Sequence, residues 1–68
     1  MTGPELRTIR LGLGLSLSKW GGALGYSGDR QTLASAMHRY EAGERDIPEW
    51  IARLAIMYQR YGVPEEWR

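Results

Sequence analysis

Glycine punctuates this chain at Gly12, Gly14, Gly25, Gly43 and Gly62, and each stretch between those positions spaces its apolar residues as a helix does. A glycine just past such a run marks a helix C-terminus, because it enters the left-handed region without a Cβ penalty. No alternation of useful strand length lies between the glycines. The pattern predicts an all-α fold, a compact domain of four to five helices in which the fifth is at most one turn.

The helix starts are marked as well. Thr2-Gly3-Pro4-Glu5 sets a hydroxyl three residues ahead of a carboxylate, with proline near the first helical position, and predicts a helix over residues 4 to 12 with Leu6, Ile9 and Leu13 at helical spacing. Ser16 caps a second helix carrying Leu17, Trp20 and Leu24. Its Gly21-Gly22 pair lowers helicity by about 1 kcal/mol per residue relative to alanine, which close helix packing explains. Tyr26-Ser27-Gly28-Asp29 forms turn and cap for a third helix over residues 29 to 42, with Leu33, Ala36, Met37 and Tyr40 on one face. Asp46-Ile47-Pro48-Glu49 starts a fourth, with Ile51, Leu54, Ala55, Tyr58 and Tyr61 as its expected core stripe. Trp50, Ile56 and Met57 widen that stripe beyond what one small domain covers. The tail from Val63 holds Trp67, available to dock back.

A chain of 68 residues has room for one domain and buries only about 60% of the surface exposed on unfolding. It has no cysteine, and its single histidine, His38, cannot build a metal site at ordinary ligand spacing, so neither staple of small domains is expected. Self-association remains. No segment approaches the roughly 18 apolar residues of a membrane span, and no apolar run follows a basic N-terminal stretch, so a cytoplasmic protein with no membrane partner is expected. The net charge of +1 hides an asymmetry. Residues 1–39 hold five basic side chains against two acidic ones, and residues 40–68 hold four against six. One end can thus approach a polyanion while the other faces away. Gly12-Leu13-Gly14 lacks the preceding strand and third glycine of a dinucleotide fingerprint, and no nucleophile lies beside a base, so no enzyme and no cofactor are expected.

Between its apolar positions the third helix carries Arg30, Gln31, Ser35, His38 and Arg39, donors of the kind that base edges and phosphates require. Upstream stand Arg10, then Gly14-Leu15-Ser16, then Trp20, Gly21, Leu24 and Gly25; downstream stand Arg39-Tyr40-Glu41-Ala42-Gly43-Glu44-Arg45 and Ile47-Pro48-Glu49. In that order, over about residues 5 to 58, they resemble the Cro-like (XRE-type) helix-turn-helix regulators of bacteria and phages. Two helices that cross steeply leave space only for glycine or alanine at Gly21, Gly25 turns the chain, and Tyr26 fills the apolar slot after it. One departure from the family pattern matters most. The usual spacing sets the core positions of the recognition helix on Gln31 and Ala34, whereas counting back from Glu41 sets them on Met37 and Tyr40, six residues later. That implies an insertion within residues 27 to 33 and a lengthened turn or recognition helix.

The resemblance implies a sequence-specific repressor that binds double-stranded DNA as a homodimer, with the third helix in the major groove and half-sites about 34–36 Å apart. Implied base contacts are Arg30, Gln31, Ser35, His38 and Arg39; implied phosphate contacts are Ser16, Ser18, Lys19, Thr32 and Arg45. Leu17 stands where relatives often carry glutamine, which removes one polar contact. The dimer surface is expected on Trp50, Ile56, Met57 and Trp67. No small-molecule effector is expected, so repression follows occupancy, with autorepression the simplest form. Small members of the family occur in phages and mobile elements, some encoded beside anti-CRISPR genes. The rival expectation is a protein-interaction module on the same scaffold, an antitoxin or assembly adaptor that uses the apolar surface of the fourth helix.

Overall fold

Helices form where the capping residues and glycines place them. The computed structural model describes residues 1–68 and is all-helical: α1 (Gly3–Gly12), α2 (Leu17–Ala23), α3 (Arg30–Glu41) and α4 (Glu49–Tyr61), then a 3-10 turn, Glu65–Trp67. Thr2 and Glu5 bond reciprocally, each side chain accepting from the other's amide, at 3.2 Å to Thr2 Oγ1 and 3.0 Å to Glu5 Oε1. Ser16 Oγ accepts from the Lys19 amide at 3.2 Å, and Asp29 Oδ1 from the Thr32 amide at 2.8 Å. The fourth helix starts after Pro48 with no side-chain cap.

The first three helices end alike. The Leu15 amide donates to Arg10 O and the Gly14 amide to Leu11 O; Tyr26 and Gly25 donate likewise to Gly21 and Gly22, and Glu44 and Gly43 to Arg39 and Tyr40. These are paired Schellman bonds, and each needs one residue in the left-handed region. Gly14, Gly25 and Gly43 supply it, at φ of +73°, +96° and +78°.

The core joins Leu6 and Ile9 of α1, Trp20 and Ala23 of α2, Met37 and Tyr40 of α3, and Ile51, Ala55 and Tyr58 of α4, with Leu15, Leu24 and Val63 from the connections. Trp20 is fully buried, its ring 6.2 Å from that of Tyr58 at 60°, and the Tyr58 hydroxyl donates to the Ala23 carbonyl. The close approach of α2 to α3 is made at Gly21, where an added Cβ would sit 3.1 Å from Leu33 Cβ and 3.3 Å from the Leu33 carbonyl oxygen. At Gly3 a Cβ would run into the Tyr40 and Glu41 carbonyls, so the start of α1 seats directly on the end of α3. No helix is long and apolar enough to cross a membrane.

Met37 and Tyr40 are the buried anchors of α3, whereas Gln31 is exposed and Ala34 only half-buried. A six-residue connection, 24–29, joins α2 to α3, and the first turn of α3 lies ahead of those anchors. Leu33 ties that turn to Gly21. Tyr61 departs from expectation: it is 76% exposed rather than in the core. Ile51, Ala55 and Tyr58 complete the inward stripe, and Tyr61 continues a second one, described below.

One ion pair crosses the fold. Arg10 of α1 donates from Nε to Glu41 Oε2 at 2.8 Å and from Nη2 to Oε1 at 3.1 Å, while Nη1 donates to the Leu15 carbonyl at 3.0 Å. The two side chains are only 10% and 7% exposed. Removing one partner leaves a buried charge uncompensated, which costs about 3–5 kcal/mol, whereas apolar replacement of both is often neutral or better. Glu41→Ala is therefore expected to lose about that much stability in urea unfolding. The Arg10→Met, Glu41→Leu double variant should lose less than the single change; an equal or greater loss would deny the pair this role.

Candidate nucleic-acid interface

Because α3 buries Met37 and Tyr40, helical geometry turns Gln31, Ser35, His38 and Arg39 to the opposite side, where all four are exposed. Three open clefts flank this outer face. The first, about 530 Å³, lies between the start of α2 and the start of α3 and is lined by Ser16, Ser18, Lys19, Arg30 and Leu33. A second, about 490 Å³, is lined by Gln31, Thr32, Ser35 and Arg39 of α3, by Arg45 beyond it, and by Asp29. The third, about 360 Å³, places His38 beside Arg7, Leu17 and the Arg10–Glu41 pair. All ten residues expected to meet DNA line one of these three clefts.

The charges there are free to act outward. Arg10–Glu41 and Glu49–Arg53 are the side-chain ion pairs of the structure, so Arg7, Arg30, Arg39 and Arg45 face no carboxylate partner. Lys19 Nζ is engaged within the molecule, donating to the main-chain oxygen of Arg68 at 3.3 Å. Asp29 is the one carboxylate lining the second cleft, and it is engaged as the cap of α3. The Thr32 amide holds its carboxyl below the usual range. Arg7 was not singled out in the sequence; its signal was its place one turn ahead of Arg10 on the same helix.

Arg45 is held by a ring rather than by a charge. Its guanidinium lies 5.1 Å from the Tyr40 ring centroid. The Tyr40 and Tyr26 hydroxyls are 2.7 Å apart, and the far side of the array is the Trp50 ring, 6.1 Å from Tyr26 at 30°. Burial, and then the Tyr40 hydroxyl, push the Tyr26 phenol up to about 12, so it stays protonated at any working pH. Tyr26 therefore does more than fill an apolar slot.

The outward side of α4 carries the other candidate surface. Trp50, Leu54, Met57 and Tyr61 recur at i, i+4, i+7 and i+11 and form one stripe, of which Trp50, Met57 and Tyr61 are exposed. Trp67 adjoins it through Leu54, with which it lines an apolar cleft. Ile56 does not join this stripe. It falls on the far flank of α4, in a separate cleft with Met1, Pro4 and Ile9 of the α1 side, because it lies about 100° or more around the helix from Trp50 and Met57.

No family model, no curated protein and no solved structure matches the chain.

The cap of α3 carries a pH signature. A carboxyl held low in the fold adds stability above the pH at which it protonates in the unfolded chain, and that stability is lost as pH falls through the folded value. Asp29→Asn keeps a capping oxygen and should flatten this acid-side dependence of the urea midpoint, with little change at neutral pH. Asp29→Ala should lower the midpoint at neutral pH. An Asn variant with the parent's acid profile would show that the dependence arises elsewhere.

Proposed function

We propose that the chain is a sequence-specific DNA-binding transcriptional regulator of the Cro-like helix-turn-helix type. In this mechanism α3 enters the major groove of double-stranded DNA and α2 lies across the phosphate backbone. The observation that carries the reading is the gathering of all ten polar and cationic candidates around the outer face of one helix, with Arg30, Arg39 and Arg45 outside any ion pair. Arg30 and Arg39 have the fork that pairs with guanine, and Gln31 the amide that pairs with adenine. Ser16, Ser18 and Lys19 at the start of α2, with Thr32 and Arg45, supply phosphate contacts that set register.

A homodimer completes the mechanism, since a twofold protein reads a palindrome and doubles its contacts. The stripe of Trp50, Leu54, Met57 and Tyr61 is the surface proposed to pair, with Trp67 at its edge. Bound at its own promoter, such a dimer represses by occupancy. The same apolar stripe favours a second reading, an interaction module that offers α4 to another protein.

A salt titration on duplex DNA separates the two. A regulator loses affinity steeply as salt rises and prefers its own upstream region to random sequence; salt-insensitive or absent binding would sink the first reading. Arg39→Ala should relax base preference by about 1–3 kcal/mol at one position. Lys19→Ala should weaken binding about equally on all sequences and reduce the salt slope by about one unit.

The pairing surface has its own test. Met57→Glu should yield a monomer in sedimentation, and Ile56→Glu should leave association intact. The reverse pattern would move the interface to the α1 side of α4.

A further inference from the structure

We propose that Tyr26 is a positioning residue for Arg45, acting through Tyr40, and that it sets the strength of one phosphate contact without touching DNA itself. This rests on the DNA-binding reading above. Arg45 lies in the connection between α3 and α4, exposed, with no carboxylate or carbonyl partner; the Tyr40 ring 5.1 Å away is what it rests on. A long side chain that must be ordered on binding loses affinity to that ordering, so a platform that holds it beforehand strengthens the contact. Tyr40 is a fixed platform only if its hydroxyl is satisfied where it stands, and the partner 2.7 Å away is the Tyr26 hydroxyl. Tyr26 belongs to the connection between α2 and α3 and is braced on its other side by Trp50. Without the Tyr26 hydroxyl, the buried Tyr40 oxygen faces a phenyl edge, and its ring must tilt toward water to recover a bond. Arg45 then loses its seat. The connection that departs in length from the family pattern thus fixes a cation on the far end of α3.

The test is a double-mutant cycle of Tyr26→Phe and Arg45→Ala, read as affinity for a labelled duplex of random sequence across a salt series. Each single change is expected to weaken binding about three- to tenfold and to lower the salt slope by about 0.9. The double variant should be no weaker than Arg45→Ala alone. Tyr40→Phe removes the same hydrogen bond from the other side and should reproduce Tyr26→Phe, with circular dichroism showing both variants folded. An additive cycle, or a Tyr26→Phe variant with the parent's salt slope, overturns the positioning role while leaving DNA binding in place. Failure of the parent chain to bind the duplex at any salt overturns the DNA reading first, and the positioning role with it.

Discussion

The buried bridge between Arg10 and Glu41 ties together the parts of the fold that are far apart in sequence. Its guanidinium meets a carboxylate at the end of α3 and a carbonyl in the turn that leads into α2. A planar fork in which all three nitrogens donate fixes both position and angle, which a single lysine contact would not do. Gly3 supports the same junction from the start of α1 by letting the backbone rest on the last turn of α3. The outer face of α3 is therefore aimed from its C-terminal end, by α1, and held along its length by α2 through Gly21 and Leu33.

That division of labour leaves the exposed side of α3 with no packing duty. Met37 and Tyr40 carry the burial, so Gln31, Ser35, His38 and Arg39 are free of the demands of the core. The core itself is small, and a chain of this size has little stability in reserve. Exposing Trp50, Met57 and Tyr61 on α4 leaves apolar surface that a second molecule could bury.

Much of this was legible in the residues. Capping side chains and closing glycines act locally, over three or four positions, so Thr2, Ser16 and Asp29 and the glycines Gly14, Gly25 and Gly43 revealed where helices begin and end. The central anchors followed from spacing, Met37 and Tyr40 included. Long-range pairing was not legible: Arg10 and Glu41 both stood out in the motif, but nothing in their 31-residue separation says that they meet. Nor does a hydrophobicity pattern say which of two apolar stripes faces inward, and so Tyr61 was expected in the core and Ile56 beside Met57. The hydroxyl bond of Tyr26 was hidden for the same reason as the ion pair, since its partner, Tyr40, lies 14 residues away on another helix.

The distribution of tryptophans has a practical consequence. Trp20 is sealed in the core against Tyr58, while Trp50 and Trp67 are about half exposed, at 53% and 55%, on the α4 side. The chain therefore carries two optical populations, one whose emission follows the integrity of the core and one whose emission follows what covers its surface. Contact with α4 reaches only the exposed pair, whereas loss of the fold alters Trp20 as well, and native emission can distinguish assembly from unfolding without an added label.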